Sequence, residues 1–213
     1  MPIWSDRNQG GEEMREKLSI VLAGVGGQGV LTAASILGKA AVKAGVNVLV
    51  SEVHGMAQRG GVVKCTVRMG NVHSALIARG TADVIVSTEP VEALRHIDKV
   101  NKDSIVITDI NPVIPPSVIF DKIEYPDVDA VLNEIKKHCK LYSLDATELA
   151  KRAGDMIAKN IVLLGALSGL DILPFSHEIL LETIVDTLPE AYKDINVKAF
   201  NFGREEIISK RDR

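Results

Sequence analysis

Short, nearly unbroken apolar runs alternate along the chain with stretches whose apolar residues recur every three or four positions, as expected of buried strands interleaved with amphipathic helices. Residues 18–23 predict a first strand, residues 28–44 a helix stopped by Gly45, and residues 47–52 a second strand. This is a βαβ unit, which predicts the first two strands as parallel neighbours with their carboxyl ends on one edge. Residues 62–68 and 73–77 flank a turn at 69–72 and predict a hairpin. A strand over 83–87, a helix over 90–97 with Pro90 in its first turn, and a strand over 104–109 follow. Beyond a proline-rich loop come an extended 117–123, a helix over 128–139 and a last strand at 140–144.

Thr147 opens a long helical region in which Leu149, Ala153, Met156, Ile157, Ile161, Leu164 and Leu167 fall at three- and four-residue steps. Its apolar width exceeds one face, which suits either an internal core helix or a large partner interface. Two more helices are predicted at 178–188 and 189–207, the second interrupted around 196–203. The pattern gives an α/β fold of three layers, α/β/α, with a mostly parallel sheet, a hairpin addition and a helical C-terminal part. Residues 18–213 form one domain and the polar residues 1–17 a flexible tail.

Composition narrows the function. The net charge of −3 and the absence of any Lys/Arg run give no footprint for a nucleic-acid backbone. The longest apolar stretch, 161–170, is half of the ~20 residues a membrane span needs, so no membrane partner is expected. The two cysteines, Cys65 and Cys139, lack the spacing of a disulfide framework or of a metal site, and read as buried thiols of a cytoplasmic protein.

The chemistry concentrates in two glycine-rich turns. Residues 24–29 read Gly-Val-Gly-Gly-Gln-Gly, directly after a strand and directly before a helix. In that context Gly24, Gly26, Gly27, Gln28 and Gly29 are candidates for an anion cradle of bare backbone N–H groups; the alternative is a tight connection with no ligand. Glu52 stands some twenty residues on, where a dinucleotide-binding fold places its ribose-binding acid, so a stand-alone NAD(P)- or FAD-dependent oxidoreductase is a serious reading. The second turn carries His54, Gln58, Arg59, Gly60 and Gly61. Arg59 can bind carboxylate or phosphate bidentately, or pair with Glu52 or Glu89 to hold the turn. No residue is assigned a catalytic role and none a metal. His54 has no nucleophile or paired carboxylate at a motif-defined distance, and His73, His96, His138 and His177 stand isolated.

Residues 21–31, 51–61 and 67–70, supported by 82–94, together resemble the gamma subunit or domain of 2-oxoacid:ferredoxin oxidoreductases, in particular the indolepyruvate branch. The resemblance runs from about residue 18 to 170. Val62 stands where that family often has a small polar residue. The resemblance implies oxidative decarboxylation of indolepyruvate or another arylpyruvate to its acyl-coenzyme A, with electrons passing to ferredoxin. Thiamine diphosphate and [4Fe–4S] clusters are implied on a larger partner subunit, since two cysteines cannot ligate even one four-Cys cluster. Coenzyme A is implied as a shared substrate and ferredoxin as an indirect partner. Whether the isolated small subunit pairs with itself as a homodimer is left open by the sequence. The site residues carried over are Gly24, Gly26, Gly27, Gln28, Gly29, Glu52, Gln58, Arg59, Gly60 and Gly61.

Overall fold

The computed structural model describes residues 16–54, 61–114 and 124–212. Residues 1–15 of the expected tail and the extended 117–123 therefore lie outside the described residues, while Lys17 belongs to the first strand. The first strand, β1 (Lys17–Val25), is buried at every position after Lys17. Val21 packs with Ile85 and Val106 on one face, while Ile20 and Leu22 join a larger cluster on the other. That two-residue alternation lets one strand serve two cores.

The remaining elements are α1 (Val30–Lys43), β2 (Val48–His54), β3 (Val62–Gly70), β4 (Val84–Ser87), α2 (Pro90–Arg95), β5 (Ile105–Asp109), α3 (Val128–Lys136), β6 (Lys140–Leu144), α4 (Ala146–Ala153), α5 (Lys159–Ser168), α6 (His177–Thr187) and α7 (Lys193–Arg211). The six strands form one sheet in the order β2-β3-β1-β4-β5-β6. β1, β4, β5 and β6 are parallel, and β3 runs antiparallel between β1 and β2. The larger core takes α1 and α4 to α7, and α2 and α3 cover the opposite face, completing three layers.

Two expectations about the sheet need correction. β2 is not the neighbour of β1, because β3 inserts between them in full register from Lys17 opposite Gly70 to Val25 opposite Val62. The physical reason is burial: β3 carries Val63, Cys65, Val67 and Met69 into the core, whereas β2 leaves Val50, Glu52 and Val53 exposed and is the better edge. The two strands still point the same way, so their carboxyl ends share one rim. The expected 62–77 hairpin is also wrong: β3 runs on through Gly70, and 73–77 is no strand. The Arg68 guanidinium donates to the carbonyls of Ser74 at 2.7 Å and Leu76 at 3.1 Å, and the Thr66 hydroxyl to that of Ala75 at 2.7 Å. Side chains thus satisfy the carbonyls a ladder would have used, and the real hairpin is β2–β3.

In the C-terminal part Asp145, not Thr147, opens the first helix, accepting the Glu148 amide at 2.8 Å. The long region breaks at Gly154, whose φ of +132° lies outside helical values, and a 3₁₀ turn at Met156–Ala158 leads into α5. Every residue of α5 after Lys159 is buried, because it is packed between the sheet and α7. Its apolar width therefore marks a core helix and not a partner surface. The expected interruption at 196–203 does not occur: α7 is continuous, with Asn196 and Gly203 buried in it. A Cβ on Gly203 would stand 1.9 Å from the Val162 carbonyl oxygen, and one on Gly165 2.0 Å from that of Phe200. The residues that look like breakers are where two helix backbones touch.

Candidate functional site

At the carboxyl edge of the sheet β1 turns into α1 through Gly29, which starts the helix with a left-handed φ of +73°. The Gly26 N–H donates to the Gly61 carbonyl at 2.7 Å, which joins the turn after β1 to the residue just before β3. The first glycine-rich segment therefore meets the last residue of the second at one rim. Gly61 is placed there directly; Gln58, Arg59 and Gly60 lie outside the described residues, as does the His54 side chain.

The geometry changes what the glycines do. A Cβ on Gly24 would stand 2.0 Å from the Thr88 hydroxyl oxygen, and one on Gly29 2.6 Å from Asn160 Nδ2. Both positions are small because side chains from later in the chain press against them. Gly27, with φ +98°, has nothing within 4 Å of where a Cβ would be and is exposed. The Gly26 amide is taken by Gly61 and that of Gln28 by the Val25 carbonyl at 3.2 Å. The cradle thus offers fewer bare N–H groups than the motif suggests.

Gln28 lies at the centre. Its Oε1 accepts from the Val25 amide at 2.9 Å and from the Thr88 hydroxyl at 2.5 Å. Thr88 is held in turn, its N–H donating to Ala23 and its carbonyl accepting from Lys159 Nζ, both at 3.0 Å. Lys159 pairs at 3.2 Å with Asp109, whose side chain is fully buried. Asp109 also accepts from the Ala146 amide at 3.1 Å, the Thr147 hydroxyl at 2.7 Å and Asn111 Nδ2 at 3.0 Å. Asn160 Nδ2 closes the ring by donating to the Gly29 carbonyl at 3.2 Å. Parallel pairing makes this ring: Ser87 lies opposite Thr108, so Thr88 and Asp109 emerge side by side from β4 and β5.

The strands expected over 83–87 and 104–109 put Thr88 and Asp109 at the carboxyl edge, but no motif in the sequence pointed to Lys159, Asn160 or the hydrogen bond of Thr147. The available signal was the polar pair Lys159-Asn160 immediately before the apolar 161–170. Glu89 is buried, caps α2 through the Glu92 amide at 2.5 Å and accepts a short hydrogen bond from the Tyr125 hydroxyl. Burial, with Glu89 beside it, pushes the Tyr125 phenol well above its usual range.

Glu52 corrects the dinucleotide reading. It is exposed on the edge strand opposite Cys65, and β3 separates it from β1. At two strand spacings, about 10 Å, it stands off the adjacent-strand position from which a ribose hydroxyl would be held.

Among the described residues no group of three or more His, Cys, Asp or Glu could hold a metal ion, and no helix is long and apolar enough to cross a membrane. Cys65 and Cys139 are buried in different clusters on opposite faces of the sheet. Burial, with Glu52 adding to it, pushes the Cys65 thiol up to about 12; burial pushes Cys139 up to about 11 against the opposing effect of Lys102. Neither fits a cluster ligand, which must be a thiolate. Native protein at pH 8 is expected to resist iodoacetamide at both cysteines under conditions that label the unfolded chain completely, as read by intact mass. Because both values are raised, the thiols support the fold fully below pH 9 and lose that contribution as pH climbs through about 11 and 12.

Comparison with known proteins gives a consistent answer. The model of the pyruvate ferredoxin/flavodoxin oxidoreductase family matches residues 19–206. An indolepyruvate oxidoreductase subunit IorB from Archaeoglobus fulgidus is 42% identical over 196 residues, covering 92% of this chain and 98% of that one. The crystal structure of pyruvate oxidoreductase subunit PORC from Thermotoga maritima superposes with a TM-score of 0.69 at 25% identity, over 90% of this chain and 97% of that one. A chain of the Magnetococcus marinus 2-oxoglutarate:ferredoxin oxidoreductase, solved with 2-oxoglutarate, coenzyme A and succinyl-CoA, shares the fold with a TM-score of 0.70 at 24% identity. There the match covers 92% of this chain but 32% of the other, so the same fold recurs as part of a longer polypeptide.

Proposed function

The chain belongs to the pyruvate ferredoxin/flavodoxin oxidoreductase family, and from that premise we propose that it is the small subunit of a 2-oxoacid:ferredoxin oxidoreductase whose oxoacid is indolepyruvate or a related arylpyruvate. The observation that carries this reading is the match to nearly the whole length of an indolepyruvate oxidoreductase subunit at 42% identity. A relative matched over only one segment would support much less.

The residues of this chain do not fit an iron–sulfur cluster, and no step of the reaction is assigned to them. Thiamine diphosphate and [4Fe–4S] clusters belong to a larger partner subunit in the cytoplasm, through which electrons reach ferredoxin; coenzyme A is a substrate the two subunits share. This chain supplies the rim. Gly26, Gly27, Gln28, Gly29 and Gly61 form a receiving surface that orients the anionic end of a substrate against the partner, with buried Gly24 beneath it making room for Thr88; Gln58, Arg59 and Gly60, outside the described residues, are proposed as further ligand-binding residues. Glu52, on the edge strand, flanks it.

Coexpression with the large subunit tests the reading. A stable complex should reduce a viologen dye in the presence of an arylpyruvate and coenzyme A, while the purified small subunit should be colourless and show no saturable NAD(H) or flavin binding. Absence of both complex and turnover would overturn it.

A further inference from the structure

The ring around Gln28 fixes more than the backbone. A backbone N–H can only donate, so the Gln28 atom facing the Val25 amide must be the carboxamide oxygen. With that oxygen accepting, the hydroxyl of Thr88 must be the donor in their contact. The carboxamide therefore cannot flip, and its amino group is the branch turned away from both. Among the described residues that amino group has no acceptor, and Gln28 is only partly buried. Gly24 belongs to the same device: a Cβ there would lie 2.0 Å from the Thr88 oxygen and 3.2 Å from Gln28 Oε1, inside the hydrogen bond. The first glycine of the motif makes room for a side-chain clamp.

We propose that Gln28 is the residue through which the rim recognises an anionic oxygen of the substrate, and that Thr88 is a positioning residue holding the carboxamide with its amino group as the presented donor. Thr88 acts from a fixed base, since its own N–H and carbonyl are bonded to Ala23 and Lys159, and Lys159 is anchored on Asp109. The inference rests on the small-subunit reading for its substrate, but the clamp itself is a property of this chain alone. Two sources share the chemistry: the carboxylate of the 2-oxoacid and a phosphate of coenzyme A.

Three variants separate positioning from recognition. Gln28→Glu keeps an oxygen for Val25 and Thr88, replaces the amino group and its two N–H donors with a second oxygen, and adds a negative charge that faces the bound anion. Amide exchange at Val25 and the thermal midpoint should stay at wild-type values. In the assembled complex KM for one substrate should rise by about 10- to 100-fold or more, the range of a lost hydrogen bond to a charged group, with repulsion by the new carboxylate acting in the same direction. The substrate whose KM moves identifies the oxygen. Thr88→Val releases the carboxamide, so exchange at Val25 should quicken and the same KM should rise; Thr88→Ser, which keeps the hydroxyl, should restore both.

A wild-type KM for both substrates in Gln28→Glu overturns the proposal. So does a defect confined to assembly with the large subunit, which would make Gln28 an interface contact. Unchanged exchange in Thr88→Val overturns the clamp. A wild-type complex without turnover sinks the functional reading and the ligand half together, while the exchange measurement, made on the small subunit, still decides the clamp.

Discussion

Replacing Gly203 by alanine is expected to lower the thermal midpoint by about 6–12 °C, although alanine is the better helix former by about 1 kcal/mol. The added methyl would stand 1.9 Å from the Val162 carbonyl oxygen and 3.0 Å from the Ala166 amide nitrogen. Both are backbone atoms of α5, which cannot rotate aside as a side chain would. Relief requires the two helices to separate, and overpacking of this kind costs about 3 kcal/mol after the propensity gain is subtracted. Gly38→Ala is the control. Its Cβ would meet the Val50 Cγ2 methyl at 3.0 Å, on an edge strand free to shift, so its effect should stay within about 1 kcal/mol of zero. Thermal unfolding of both variants decides the matter; equal midpoints would mean that the α5–α7 crossing is not tight.

The second large effect is expected at Asp109. Asp109→Ala removes the acceptor of the Ala146 amide, the Thr147 hydroxyl and Asn111 Nδ2, and leaves the Lys159 ammonium, 12% exposed, without its counter-ion. Breaking a buried pair from one side costs about 3–5 kcal/mol. Lys159→Met should cost less, because the Asp109 carboxylate keeps four donors, the Asn111 backbone N–H among them. In denaturant unfolding the double variant should fall short of the sum of the single effects by about 1–3 kcal/mol, the coupling of groups in direct contact. Strict additivity would show that the pair contributes nothing as a pair.

Much of this fold could be read from the chain because its strands are local apolar runs bounded by turn residues. β1, β4, β5 and β6 and the helices that follow β1, β4 and β5 fall within a few residues of their expected ends. The position of β3 was not legible, since whether a strand pairs beside β1 or outside it depends on which of two candidates buries more apolar surface. Nor was the strap over 73–77, whose carbonyls are satisfied by Arg68 and Thr66 instead of a ladder. Glycine in the middle of α7 has the local signature of a break, and only the neighbouring helix shows why it is required. At the rim, the meeting of the first glycine turn with Gly61 followed from strand direction alone. Lys159 and Asn160 did not, because the contact between Asn160 and Gly29 spans 131 positions of sequence.

The helix that carries Lys159 and Asn160 to the rim is also the most deeply enclosed helix among the described residues. The rim proposed to receive a ligand is therefore the end of an interior beam, and its shape is fixed once the core has closed. On the proposed function a visiting molecule would meet donors whose ordering entropy was already lost during folding, so encounter should proceed with little rearrangement on the ring side of the edge. Loosening the beam anywhere along its length would be felt at its tip.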